Sequence, residues 1–170
     1  MSTTDALLRN NEKHAGGFEK GHLPMPPAKK LAVVACMDAR LDVHKILGLD
    51  EGDAHVIRNA GGVVSDDAIR SLVISQRLLG TTEIILIHHT DCGMLTFKDD
   101  DVKAQIEKDT GIRPQFALEA FGDLNEDVRQ SIARIEASPF IPHKNVRGFV
   151  YDVKTGKLNE VKAGKVASPA

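Results

Sequence analysis

Three short apolar runs in the first part of the chain are each followed by polar or glycine-rich residues. The runs are LAVVA (31–35), AHVIR (54–58) and EIILIH (83–88). Short apolar runs bounded by turn-forming residues are typical of buried β-strands. We therefore predict three buried strands, each leading directly into a polar loop.

Apolar residues elsewhere recur at the three- and four-residue spacing of amphipathic helices. Ser65 is predicted to cap a helix that Gly80 ends, and a second helix is expected around residues 102–106. Asp123 and Glu126 have capping-box spacing and predict the start of a third. The first helix has apolar residues at Ile69, Leu72, Val73, Leu78 and Leu79. The third is predicted to place four apolar residues on one face: Leu124, Val128, Ile132 and Ile135.

The segment VRGFVYDVKTGKLNEV (146–161) predicts a strand, a Thr-Gly turn and a second strand. Strands that alternate with helices predict an α/β fold, with a mostly parallel central sheet flanked by helices and an antiparallel strand from the C-terminal hairpin. The length of 170 residues suits one domain over 1–170. Residues 1–30 are expected to form an extended or helical N-terminal arm, and 163–170 a frayed tail.

Composition narrows the functional classes. The chain has 22 Lys plus Arg against 24 Asp plus Glu, a formal net charge of −2, which does not favour nucleic-acid or membrane-surface binding. No run approaches the roughly 18 apolar residues of a membrane span, and no signal peptide is visible, so we expect a cytoplasmic protein. In a reducing compartment, two cysteines are more often metal ligands or catalytic groups than a disulfide.

The loops that follow the three predicted strands carry most of the reactive side chains. Cys36, Asp38 and Arg40 follow the first strand, Asn59-Ala60-Gly61-Gly62 follows the second, and His89 to Gly93 ends the third. In open α/β sheets, ligands bind beyond the carboxyl ends of the strands. We therefore expect these loops to meet at one edge of the sheet and form a site.

Cysteine and histidine in this pattern predict a metal centre. His89 and Cys92 are three residues apart, and Cys36 would supply a third ligand. Two thiolates and one imidazole with an open fourth position are typical of catalytic zinc. Sulfur ligands also favour zinc over magnesium and calcium. Two alternatives remain open from these residues: each cysteine as a small buried hydrophobe, and a redox pair, although there is no C-x-x-C.

The three loops together resemble the β-class carbonic anhydrases, in their compact subgroup. The resemblance rests on Cys36-x-Asp38-x-Arg40, on Arg58-Asn59-Ala60-Gly61 and on His89-Thr90-Asp91-Cys92-Gly93, and the C-terminal hairpin fits the family's last strands. It implies Zn²⁺ held by Cys36, His89 and Cys92, with Asp38 and Arg40 as a catalytic dyad. It also implies that Asp38 can become a fourth ligand in a closed state, and that the protein is a homodimer or a higher homo-oligomer.

The remaining residues have smaller expected roles. Backbone at Asn59, Ala60 and Gly61 is expected near the substrate, and Gly93 would offer an N–H group to it. Asp91 is expected to act only in a local turn or helix start. Three histidines are candidate proton shuttles by their ordinary pKa, although a packing or surface role is favoured for each; they are His44, His55 and His88.

The resemblance implies hydration of a small linear electrophile by zinc hydroxide. The favoured reaction is the reversible hydration of CO2 to bicarbonate and a proton. The compact subgroup also contains enzymes that hydrolyse carbonyl sulfide (COS) or carbon disulfide, so hydrolysis of COS to H2S and CO2 is the alternative. A non-catalytic zinc-binding module is a more distant alternative. Such a module needs no oriented carboxylate beside the metal, whereas the Asp38–Arg40 dyad provides one.

Overall fold

The computed structural model describes residues 2–164, so most of the predicted tail at 163–170 lies outside the described residues. Five strands form one sheet in the order β2-β1-β3-β4-β5. β1 to β4 are parallel, and β5 pairs antiparallel with β4, which confirms the predicted α/β fold and its C-terminal hairpin. The strands are β1 (Leu31–Cys36), β2 (Ala54–Asn59), β3 (Glu83–His89), β4 (Asn145–Tyr151) and β5 (Leu158–Val161).

Within the described residues, five α-helices accompany the sheet, and the two predicted caps are confirmed. The Ser65 hydroxyl accepts a hydrogen bond from the Ala68 N–H at 3.3 Å, and the Asp123 carboxylate accepts one from the Glu126 N–H at 2.7 Å. The helices are α1 (Thr3–Gly16), α2 (Val43–Leu47), α3 (Asp66–Arg77), α4 (Asp99–Thr110) and α5 (Leu124–Ala137).

The end of α3 differs in one respect from the prediction. Gly80 adopts φ +76° and donates its N–H to the Gln76 carbonyl, so it stops the helix as expected. The helix itself ends at Arg77, however, and Leu78 is 72% exposed. The helix is therefore shorter at this end than the apolar pattern predicted, and Leu78, six positions after Leu72, lies outside its buried side.

The two faces of the sheet have different roles. Alternate residues of β3, such as Ile84 and Leu86, pack in one core cluster with the apolar faces of α3 and α5. Ile87 belongs to the cluster on the other face, together with Cys36 and Cys92. The candidate metal ligands therefore lie on the sheet face opposite α5.

Within residues 2–164, no helix has both the length and the apolar character needed to cross a lipid bilayer.

Candidate metal centre

Three potential metal ligands meet where β1 and β3 end. Cys36 is the last residue of β1, His89 is the last of β3, and Cys92 follows in the next loop. Because β1 and β3 are parallel neighbours, their carboxyl ends lie side by side. All three side chains are buried, and their ligand atoms lie within 4.8 Å of one another. This group could hold a metal ion.

The His89 ring is oriented toward the sulfur atoms. Its Nδ1 donates a hydrogen bond to the Thr90 carbonyl at 2.8 Å, which leaves the lone pair on Nε2. Thr90 is held in turn by β4 and the residues after it, since its N–H donates to the Tyr151 carbonyl and its hydroxyl accepts from the Val153 N–H. His89 is fully buried, and its Nε2 has no hydrogen-bond partner among the described residues. A buried acceptor without a partner is costly, and a metal ion would satisfy it.

The two thiols differ in acidity. Burial opposes ionisation of Cys36, but His89 and the backbone N–H groups of Asp38 and Gly61 outweigh it and lower the pKa of Cys36 to about 7. Burial, together with the neighbouring Cys36 sulfur, raises the pKa of Cys92 to about 11. Two thiolates in one buried site therefore require a positive charge between them, which a divalent metal supplies.

Asp38 and Arg40 form a bidentate pair beside this group. Arg40 Nε donates to Asp38 Oδ1 at 2.9 Å, and Arg40 Nη2 donates to Asp38 Oδ2 at 2.8 Å. These bonds hold the pKa of the Asp38 carboxyl well below its usual range. The same Oδ2 lies 3.7 Å from His89 Nε2, so an ionised, oriented carboxylate borders the metal site.

Two contacts around the dyad were not expected from the sequence. Arg40 also bonds to Asp91, through Nη1 to the carboxylate at 2.8 Å and through Nη2 to the backbone carbonyl at 3.0 Å. Arg58 donates to the Cys36 carbonyl from Nε and Nη2, and to the Asp38 carbonyl at 2.7 Å. Arg58 therefore holds the loop that carries both Cys36 and Asp38. The sequence feature that could have indicated this role is the position of Arg58 directly before Asn59-Ala60-Gly61.

The glycine turn after β2 brings backbone against the two ligand strands. Residues 60–62 form a 3₁₀ turn with φ +85° at Gly61 and +72° at Gly62. A Cβ at Gly62 would lie 2.8 Å from the Cys36 backbone nitrogen and 2.9 Å from the Ile87 carbonyl oxygen. Only glycine fits this approach without strain.

A cavity of about 350 Å³ opens on the site. Its lining includes the candidate ligands and Asp38, and also three of the expected substrate-contacting residues: Ala60, Gly61 and Gly93. Asn59 is outside this lining, because its side-chain amide donates to the Val63 carbonyl at 2.8 Å and holds the turn instead. Apolar residues complete the wall; they are Met37, Met94 and Phe97.

His88 lies on the opposite side of the sheet from its neighbour His89. It is fully buried, its Nε2 is 2.6 Å from Asp127 Oδ2 on α5, and its ring centroid is 5.5 Å from that of Phe121. His55 bonds to the Ser75 hydroxyl at 2.8 Å. In the described part of the chain, none of His44, His55 and His88 lines the cavity, and a shuttle role for any of them stays a prediction.

The parallel sheet, with two cysteines and a histidine converging at its carboxyl edge, defines a class of α/β metalloenzyme. Comparison with known proteins identifies the family. The carbonic anhydrase family model matches residues 31–158, and the chain belongs to the β-carbonic anhydrase family.

The relatives include a carbonic anhydrase and a carbon disulfide hydrolase. The chain is 66% identical over 162 residues to beta-carbonic anhydrase 1 of Mycobacterium tuberculosis, which covers 95% of this chain and 99% of the relative. It is 36% identical to a carbon disulfide hydrolase of Acidithiobacillus thiooxidans, over 93% of this chain and 90% of the relative. The crystal structure of the carbonic anhydrase from Streptococcus mutans matches with a TM-score of 0.89 and 44% identity, over 95% of this chain and 99% of that one.

Proposed function

We propose that this protein is a zinc-dependent carbonic anhydrase that interconverts CO2 and water with bicarbonate and a proton. The observation that carries the proposal is the buried Cys36, His89 and Cys92 group with the Asp38–Arg40 pair beside it. The 66% identity to beta-carbonic anhydrase 1 supports CO2 as the substrate.

Zinc is the metal that this donor set fits best. Two sulfur atoms and one nitrogen suit zinc, and the unpartnered Nε2 of His89 is the acceptor that such an ion would engage. Cys36, His89 and Cys92 would hold the ion and leave one position open. When bound, zinc would act as a Lewis acid that makes water nucleophilic near neutral pH.

Asp38 orients the attacking water in this proposal. Its ionised carboxylate accepts a hydrogen bond from the water and thereby directs a lone pair toward the substrate carbon. Arg40 keeps the carboxylate ionised and fixes its two oxygens through the bidentate pair. Asp38 Oδ2 is also near enough to His89 Nε2, at 3.7 Å, for Asp38 to become a fourth ligand in a closed state when Arg40 releases it.

The cavity suits a small uncharged substrate. Met37, Met94 and Phe97 present apolar surface to it, and Ala60, Gly61 and Gly93 line it together with the polar residues Asp38 and Thr96. An apolar lining favours uncharged CO2 over bulk water as the occupant of the cavity. The backbone N–H group of Gly93 is the proposed donor to the substrate oxygen.

COS hydrolysis is the second candidate function. The identity to a carbon disulfide hydrolase and the methionine and phenylalanine wall favour it, because a sulfur substrate is softer and larger than CO2. The same residues would perform the same roles, and COS and water would give H2S and CO2 in place of bicarbonate and a proton.

A paired assay on one preparation of known zinc content separates these functions. CO2 hydration is followed by stopped flow and H2S release from COS by a sulfide probe, with Asp38→Asn as the control that keeps the side-chain size. Fast CO2 hydration that Asp38→Asn lowers at least about tenfold supports the proposal. H2S release that is much faster than CO2 hydration supports the second function, and no turnover of either substrate refutes both.

We also propose a homodimer or a higher homo-oligomer in the cytoplasm. The helix α1 supports association, because none of its residues is buried within residues 2–164 and it exposes Leu7 and Leu8 by 60% and 59%. Light scattering coupled to gel filtration tests this. A monomer at micromolar concentration would contradict it.

A further inference from the structure

We propose that Asp91 is a positioning residue for the Asp38–Arg40 pair. This inference rests on the proposed function, because it assigns Asp91 a part in holding the carboxylate that orients the attacking water. Asp91 does not line the cavity as the described residues form it, so its action passes through Arg40.

The guanidinium of Arg40 is shared between two acidic residues. Nε and Nη2 bond to the Asp38 carboxylate at 2.9 and 2.8 Å, and Nη1 bonds to the Asp91 carboxylate at 2.8 Å. Nη2 makes a further bond, to the Asp91 carbonyl, at 3.0 Å. Each guanidinium nitrogen therefore has an acceptor, and the plane of the group is fixed from both sides.

The Arg40–Asp91 contact joins the two loops that carry the candidate ligands. Arg40 belongs to the loop that follows Cys36, and Asp91 lies between His89 and Cys92. The guanidinium is thus anchored to the second loop while it holds Asp38 on the first. Without that anchor, Arg40 would be tied to Asp38 and one carbonyl alone, and the pair could rotate together toward solvent, since the Arg40 side chain is 47% exposed.

The backbone at Asp91 is shaped for this contact. Asp91 adopts φ +56°, a conformation that aspartate and asparagine tolerate better than most residues. Its carbonyl and its carboxylate both accept hydrogen bonds from the same guanidinium. Asp91 therefore combines the local turn expected from the sequence with a contact to a residue on another loop.

The competing explanation is an ordinary surface ion pair without influence on the site. Asp91 is 75% exposed, and ion pairs between exposed side chains contribute little. Asp67 provides the matched control, because its carboxylate is 73% exposed and lies 2.7 Å from Arg70 Nε, and neither residue lines the cavity. Equal changes at Asp67 and Asp91 would reveal an effect of surface charge alone.

The test compares Asp91→Gly, Asp91→Asn and Asp67→Gly in the zinc-loaded protein. Glycine removes the carboxylate without strain at positive φ, and asparagine keeps an acceptor oxygen there. We expect Asp91→Gly to lower kcat for CO2 hydration by about twofold to fivefold, the scale of one exposed charge-assisted contact, with KM within about twofold. Asp91→Asn should retain more than half of the wild-type kcat, and Asp67→Gly should match the wild type.

A second readout does not depend on turnover. In ¹⁵N-labelled protein, the Arg40 Nε–H resonance, assigned by its loss in Arg40→Lys, should be sharp in the wild type and broadened in Asp91→Gly. A sharp resonance in Asp91→Gly with an unchanged kcat overturns the inference, and so does an equal loss of kcat in Asp67→Gly. If the wild type turns over neither CO2 nor COS, the proposed function fails, and the resonance alone decides whether Asp91 holds Arg40.

Discussion

Replacing Gly62 by alanine tests how tightly the glycine turn is fitted against the two ligand strands. Gly62 adopts φ +72°, and a Cβ there would meet three backbone atoms of β1 and β3 within 2.8 to 3.0 Å. Backbone in the centre of a sheet cannot yield as a flexible side chain can. One of the three atoms is the nitrogen of Cys36, so the substitution also displaces a candidate ligand.

The expected cost has two parts. Alanine in the left-handed region costs about 1 to 2 kcal/mol, and forcing an extra carbon into a packed site costs about 1 to 3 kcal/mol. Gly62→Ala should therefore lower the free energy of unfolding by about 2 to 5 kcal/mol. For a domain of this size, that corresponds to roughly 5 to 20 °C in Tm.

Substitutions at two further glycines separate the conformational cost from the packing cost. Gly80 has φ +76° and nothing within 4 Å of its would-be Cβ among the described residues, so Gly80→Ala should show the conformational cost alone. Gly93 has neither a positive φ nor a described neighbour within 4 Å, so Gly93→Ala should lie between no change and a gain of about 1 kcal/mol. Urea unfolding of the three variants and the wild type measures all of this. A Gly62→Ala variant as stable as Gly80→Ala would refute the close approach.

Three other substitutions test separate parts of the structure. Cys92→Ser should reduce bound zinc well below one ion per chain at buffered zinc, measured by elemental analysis, because a hydroxyl is a poor ligand for this ion. Asp127→Ala should lower the free energy of unfolding in urea by about 1 to 3 kcal/mol, because it leaves buried His88 without its acceptor; the exposed neighbour substitution Glu126→Gln should stay within about 0.5 kcal/mol. Burial opposes ionisation of Asp99, but three backbone N–H groups at 118–120 outweigh it and lower its pKa. The ionised carboxylate therefore stabilises the fold above its ordinary pKa near 4, so the Tm difference between wild type and Asp99→Asn should be present at pH 7 and shrink as the pH falls below about 4.

The convergence of Cys36, His89 and Cys92 followed from the sequence because it depends only on strand order. Cys36 and His89 end two apolar strands, Cys92 comes three residues after His89, and parallel neighbours present their carboxyl ends at one edge. The helix caps at Ser65 and Asp123 were predictable for a similar reason, since capping is decided by residues three positions apart.

Contacts between loops were not predictable in this way. Arg40 and Asp91 are 51 positions apart, and Arg58 and Cys36 are 22 apart, so no local pattern links them. Asn59 was expected near the substrate, but its amide satisfies a backbone carbonyl within the turn, a choice that depends on the exact path of the chain. The pattern of strands thus predicts where such a site lies, whereas the contacts that hold its loops depend on which side chains come close together in the folded chain.

The position of β1 beside β3 has a consequence for how the metal site forms during folding. The segment between them contains β2 and α3, so Cys36 meets His89 and Cys92 only after a long crossover has closed. A nascent chain that stops before residue 92 lacks one of the three proposed ligands, whatever local structure it has formed. Zinc uptake during refolding should therefore follow the pairing of the central strands, and the bound ion would then stabilise a pairing between strands that are distant in sequence.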